Sequence, residues 1–268
     1  MSMPFIRPAA ARAATAFSRL CLPLLSVGGL FVLWEAYAQL SGIPPTTLPA
    51  PSRVLTQGAL QYRALWDNTL PTLYATLFGF ACSVSAAFVF SVLIDFFRPL
   101  RRALLPIFVI SQTLPMIAIA PLVVLWFGFG LAPKIMLVAL VTFFPMLIAL
   151  VQGYAATADE IEQLVASMGA PRWRVFLLAR QPSALPYFFA GLRISITYAV
   201  VGAIFSEYAG AAKGLGIYIL NAKNNFRPDL VLAAVMVSAI LTLLLFGATV
   251  LIQRLSMPWT RLAGNRTP

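Results

Sequence analysis

The sequence predicts an all-α integral membrane protein with six transmembrane helices and a cytoplasmic helix-turn-helix between helices four and five. Three observations carry this prediction. Of 268 residues, 60% are hydrophobic and 10% charged, with a mean hydropathy of +0.88, whereas a soluble domain carries roughly 25% charged residues. Six apolar stretches reach the length of about 20 residues that crosses about 30 Å of hydrocarbon. Among them lies one charged, amphipathic island, Thr157–Pro186.

The expected spans are Leu20–Ala38, Leu70–Ile94, Ala103–Phe127, Pro133–Val151, Tyr187–Phe205 and Leu230–Ile252. A backbone in lipid must satisfy its own polar groups, so such stretches are helices; the short alternating strands of a barrel are absent. Residues 1–19 then form an N-terminal segment, 20–252 a single transmembrane domain and 253–268 a tail. Three arginines, an apolar stretch and Ala36-Tyr-Ala38 imitate a secretory signal with its cleavage site. Trp34 and Glu35 just before that site argue for an uncleaved first helix.

Orientation follows from the basic residues between spans. With the N-terminus inside, Arg7, Arg12, Arg19, Arg98, Arg101, Arg102, Arg172, Arg174, Arg180, Arg254, Arg261 and Arg266 face the cytoplasm. Only Arg53, Arg63, Lys134, Lys213, Lys223 and Arg227 face outward. Both termini and the island are therefore expected in the cytoplasm. The net charge of +11 suits anionic lipid rather than nucleic acid.

Residues that perform hydrolysis are scarce. There is no histidine, the commonest acid–base group and metal ligand. The cysteines, Cys21 and Cys82, both fall within spans and suit packing. Gly210-Ala-Ala-Lys213-Gly214-Leu-Gly216 has the wrong order for a phosphate loop. The chain is expected to carry no catalytic residue, metal or cofactor, and any ATP and Mg would sit on a partner.

The island resolves into two helices. Thr157-Ala-Asp-Glu160 fits a capping box, and Ile161, Leu164, Val165 and Met168 form an apolar stripe. Gly169 suits a left-handed C′ position. Pro171 then opens a second helix, Pro171–Arg180. Such a knob reads as an interfacial helix, a DNA-binding helix-turn-helix or a rigid element inserted into a soluble motor. Tethering at both ends by spans disfavours the DNA reading.

The island resembles the cytoplasmic signature of bacterial ABC importer permeases, roughly E-A-A-x-x-x-G followed about ten residues later by I-x-L-P. Gly169 matches the glycine and Pro182 the terminal proline, while Gln163, Leu164 and Val165 occupy the E-A-A positions and Ala179 and Gln181 replace the Ile and Leu. Further matching pieces are Leu33-Trp-Glu-Ala-Tyr37, Leu48-Pro-Ala-Pro-Ser-Arg-Val54, Ala120-Pro-Leu-Val-Val-Leu-Trp-Phe-Gly-Phe-Gly130, Phe143-Phe-Pro145, Gly191-Leu-Arg193 and Lys213-Gly-Leu-Gly216. In this order they are similar to the nitrate/sulfonate/taurine branch and its thiamine-precursor and riboflavin relatives.

That resemblance implies a permease in the bacterial inner membrane, paired with a second permease chain as an expected homodimer. Two ATPase subunits and an extracytoplasmic solute-binding protein would be its partners. The coupling residues would be Glu160, Glu162, Leu164, Met168, Gly169, Ala170, Pro171, Arg172 and Trp173. The solute would be a small vitamin-type heterocycle such as a thiamine pyrimidine precursor, or alternatively a sulfonate, taurine or nitrate. An ion-coupled secondary carrier is a further alternative, which would call for buried acids in mid-span and an inverted repeat. A membrane scaffold is a third class.

Candidates for the solute path come from the third span, where Pro106, Pro115 and Pro121 interrupt the helix around Gln112, Thr113 and Met116, since broken helices line cavities. Interhelical hydrogen bonding is an equal role for the two polar residues. Phe143 and Phe144 offer rings for stacking or, more simply, packing. Glu207, ending the fifth span, and Glu35, late in the first, are costly acids if deep in lipid and simple caps near its surface. Arg193 is expected to snorkel to the cytoplasmic interface or to pair with an acid of the island.

Overall fold

The computed structural model describes residues 9–111 and 113–258. Arg7 and most of the expected tail, 259–268, lie outside the described residues. Every regular element among them is helical: α1 Ala9–Leu40, α2 Pro51–Leu60, α3 Tyr62–Phe96, α4 Arg98–Ser111, α5 Met116–Phe127, α6 Leu131–Ala155, α7 Asp159–Ser167, α8 Arg172–Val175, α9 Gln181–Tyr208, α10 Leu215–Asn224 and α11 Pro228–Ser256. A π-helical turn, Phe176–Arg180, joins α8 to α9.

Among the described residues, four helices are long and apolar enough to cross a membrane: Tyr62–Phe96, Leu131–Ala155, the continuous Arg172–Tyr208 and Pro228–Ser256. They contain the expected second, fourth, fifth and sixth spans. At the other two positions lie shorter apolar helices, Leu25–Leu40 and Ala118–Phe127. The third span was expected as one helix, Ala103–Phe127, and is two. The α4 ladder stops at Ser111 and α5 restarts after Pro115, which serves as its N-cap with φ −68° and ψ 114°. Proline has no N–H to continue a ladder and pushes its predecessor out of the helical region.

The chain forms two compact units, one of Met1–Gln61 with Ala222–Ala233 and one of Tyr62–Asn221 with Ala234–Pro268. In the first unit, Ser52 donates its N–H to Glu35 Oε2 at 2.9 Å and its hydroxyl to Glu35 Oε1 at 2.6 Å. Glu35 thus accepts from an otherwise unpaired amide at the start of α2, where the helix dipole favours a negative charge. The same unit holds Asp229 between Arg227, at 3.0 Å, and Arg53, at 3.6 Å. Arg227 also donates to Gln57 Oε1 at 2.9 Å.

In the second unit α6 packs chiefly against α9 and α3. Small residues permit this approach. A Cβ added at Gly79 of α3 would stand 2.5 Å from Val138 Cβ, and one at Gly191 of α9 would stand 2.6 Å from Ala149 Cβ. Gly153 of α6 faces the Ala184 backbone at 2.9 Å by the same measure. Without a water-driven hydrophobic force between helices in lipid, such close contact supplies much of the association. Ile94, Met146, Leu147, Leu150, Tyr154 and Phe176 belong to one buried cluster. Large side chains such as Leu125, Trp126, Leu243 and Leu244 stay exposed, as helix flanks facing acyl chains require.

Candidate functional site

The knob begins one residue later than the capping box predicts. Ala158 is the N-cap, with no side-chain cap hydrogen bond, and its carbonyl accepts from Ile161 and Glu162. Thr157 is instead drawn into the end of α6, buried, and its hydroxyl has no hydrogen-bond partner. Asp159, Glu160 and Glu162 occupy the first turn of α7 and complement the positive end of its dipole.

The corner follows the expectation. Gly169 has φ +82°, and its N–H donates to the Ala166 carbonyl at 2.9 Å. Pro171 is the N-cap of α8, with φ −67° and ψ 160°, rather than its first residue. The second limb also differs from the separate helix expected over Pro171–Arg180. It runs through the π turn directly into α9, Gln181 N–H donating to the Phe176 carbonyl five residues back. Pro182 carries no N–H for an ordinary α-helical bond at this point, and a wider turn accommodates that gap. The second limb of the knob is therefore the first part of a 37-residue helix, Arg172–Tyr208, and α7 joins it through the Gly169 corner.

Arg180 braces the knob. Its Nε and Nη2 donate to the two Glu162 oxygens, each at 2.8 Å, and its Nη1 donates to Asp95 Oδ1 and Oδ2 at 2.7 and 2.9 Å. One guanidinium thus binds a carboxylate on α7 and another at the end of α3. Forked, charge-assisted bonds of this kind are roughly twice as strong as neutral ones and fix orientation as well. Arg193, expected to snorkel to the cytoplasmic interface or to pair with an acid of the island, donates to the Phe189 carbonyl at 3.4 Å. Neither Arg180 nor Asp95 stood out in the sequence. The available signal was an acid directly following the second span, on the side that carries the island's arginines.

Bracing leaves an apolar face uncovered. Ile161, Leu164, Met168, Trp173, Leu177 and Leu178 are all exposed, Met168 to 80% and Leu164 to 63%. Glu160, Gly169, Pro171 and Arg172 are exposed beside them, while Glu162 and Ala170 are half-buried.

The residues expected along a solute path do not form one cluster. Gln112 lies outside the described residues. Thr113 is exposed and donates to the Ile110 carbonyl at 2.8 Å, closing the turn after α4. Met116 packs against Ala120, Val123 and Leu137. The Phe143 ring meets Phe108 and Phe90 edge-on, at centroid distances of 5.2 and 5.8 Å. Phe144 is half-buried. Cys82, expected to pack, is exposed on α3.

Glu207 is wholly buried at the end of α9 and binds the loop that follows. Its carboxylate accepts from Thr72 Oγ1 at 2.8 Å and from the Gly216 N–H at 2.7 Å, with Lys134 Nζ at 3.9 Å. Thr72 Oγ1 in turn accepts from the Leu215 N–H, Asn68 Oδ1 from the Gly214 N–H, and Lys134 donates to the Lys213 carbonyl. A Cβ on Gly216 would stand 2.4 Å from the Ile204 carbonyl. The Lys213-Gly-Leu-Gly216 motif therefore seats the loop on a buried acid.

Comparison with known proteins identifies the whole arrangement. The family described as binding-protein-dependent transport system inner membrane component matches residues 75–261. The chain belongs to this family. Its relatives include a probable ABC transporter permease of Haemophilus influenzae, 36% identical over 85% of this chain and 93% of that one. The riboflavin transport system permease RibX of Chloroflexus aurantiacus is 36% identical over 86% and 87%. The formylaminopyrimidine transport permease ThiX of Halalkalibacterium halodurans is 34% identical over 87% and 93%. In fold the permease is similar to a chain of the inward-facing MetNI methionine ABC transporter, with a TM-score of 0.59 at 19% identity, covering 73% of this chain and 95% of that one. The permease is a multi-pass membrane transport subunit, not an enzyme, and ATPase activity in such transporters lies in separate subunits.

Proposed function

We propose that this permease forms the solute path of an ATP-driven importer in the bacterial inner membrane and that its knob, within 157–186, receives the stroke of two separate ATPase subunits. One observation carries this reading: exposed apolar side chains stand on both limbs of the knob, Leu164 and Met168 on α7 and Trp173 on α8, and the second limb is continuous with α9. An apolar patch of this kind, rimmed by Glu160 and Arg172, marks a protein interface. A push on a rigid in-line extension rotates the helix that carries it, whereas a flexible loop would dissipate the push.

The α4–α5 pair acts as the third of six spans, and both termini are cytoplasmic, in keeping with the excess of arginine on that side. A second copy of the chain completes the path. An extracytoplasmic binding protein captures the solute and delivers it. The solute is a small vitamin-type heterocycle such as a thiamine pyrimidine precursor; the relatives named for a formylaminopyrimidine and for riboflavin are 34% and 36% identical, against 30% for one named for taurine.

Co-purification of the tagged chain from membranes tests the assembly. An ATPase that comes down with the intact chain, and is lost when Glu160–Arg174 is replaced by a flexible linker, supports it; a lone chain overturns it. Calorimetry on the cognate binding protein tests the solute. Tight binding of taurine with none of a pyrimidine overturns the vitamin reading.

A further inference from the structure

We infer that Arg180 is a positioning residue for transport, its guanidinium linking the knob to α3 so that α3 and α9 move together when the knob is displaced. This rests on the proposed role of the knob and deepens it. Without the link, the knob connects to the bundle covalently through α6 and α9, and a push on α7 reaches α3 only through side-chain packing.

The geometry is specific to an arginine held between two acids. Four donor contacts of 2.7–2.9 Å run from one guanidinium to Glu162 on α7 and Asp95 on α3. The Asp95 side chain is 13% exposed, that of Glu162 22% and that of Arg180 32%, so the bracket is partly shielded from water. A lysine has one ammonium and lacks the planar fork needed to serve both carboxylates in the same way. The bracket itself lines a cavity of about 190 Å³, together with Ser91, Arg101, Tyr154 and Thr157. The unpaired Thr157 hydroxyl lies among these residues, leaving room for the Arg180 side chain to follow a knob that tilts without giving up Asp95.

The test compares Asp95→Asn, Asp95→Glu and Arg180→Lys in the full complex reconstituted with its ATPase and binding protein. The Asp95 side chain is only 13% exposed and is not one of the exposed apolar side chains of the knob, so Asp95→Asn is expected to keep the ATPase bound and hydrolysing within about two-fold of the unaltered complex. Solute uptake per ATP is expected to fall at least ten-fold. Asp95→Glu, which restores a carboxylate, should recover at least half of the uptake, and Arg180→Lys should resemble Asp95→Asn. Unchanged uptake in Asp95→Asn overturns the inference, as does a parallel loss of uptake, hydrolysis and ATPase binding, which marks a merely structural brace. If the unaltered chain binds no ATPase, the proposed function itself fails, and the inference with it.

Discussion

Thr72 on α3 donates its hydroxyl to Glu207 on α9 at 2.8 Å, and both side chains are completely buried although 135 positions separate them in sequence. The same hydroxyl oxygen accepts the Leu215 N–H at 2.8 Å. One threonine therefore joins α3, the end of α9 and the start of α10.

Thr72→Val should leave the Leu215 amide without a partner and Glu207 Oε1 with Lys134 at 3.9 Å alone. Each buried polar group left unpaired costs about 1–3 kcal/mol, so a clear drop in melting temperature in detergent is expected. Thr72→Ser keeps the hydroxyl and should restore most of it. Equal melting points for the valine and serine variants would show that the bond contributes nothing.

Gly169→Val isolates the backbone contribution at the knob's corner. No atom lies within 4 Å of where its Cβ would be, so the penalty arises from φ +82° rather than a clash. It should be about 1–2 kcal/mol. Insertion should survive while transport uncouples from ATP hydrolysis, and Gly169→Asn should fall between valine and glycine, because asparagine tolerates this region. Uptake by the valine variant at the normal rate would refute the need for this corner.

Leu164→Asp and Met168→Asp should be nearly silent for stability, within about 0.5 kcal/mol, as substitutions of exposed residues generally are. Each should cut ATPase co-purification at least ten-fold by placing a charge in an apolar interface. Normal recovery of ATPase with both variants would direct attention to another docking face.

Gly153→Val tests the packing of α6 on α9. Its side chain would meet the Ala184 backbone at 2.9 Å or less, which helices cannot relieve by a rotamer change. Overpacking costs about 1–3 kcal/mol. The variant should insert but become sensitive to trypsin in the loops, and a wild-type digestion pattern would contradict the packing described.

The helices and the Gly169 corner were legible in the sequence because they depend on local physics: apolar length sets a span, proline interrupts one, and glycine tolerates a left-handed turn. The break at Pro115 was signalled by its prolines, although the span was expected as a single helix. Thr157 misled for a related reason. Its spacing to Glu160 fits a cap, yet burial at the end of α6 places it one residue outside α7.

The partners of polar side chains were not legible. Arg180 reads as one of several cytoplasmic arginines until α3 brings Asp95 within 2.7 Å, and Glu207 reads as an isolated acid until Thr72 and Gly216 surround it. Chain order carries no record of which helix faces meet. Packing of Gly79, Gly153 and Gly191 against their neighbours sets those meetings, and the cost of leaving a buried charge unpaired then selects the partners.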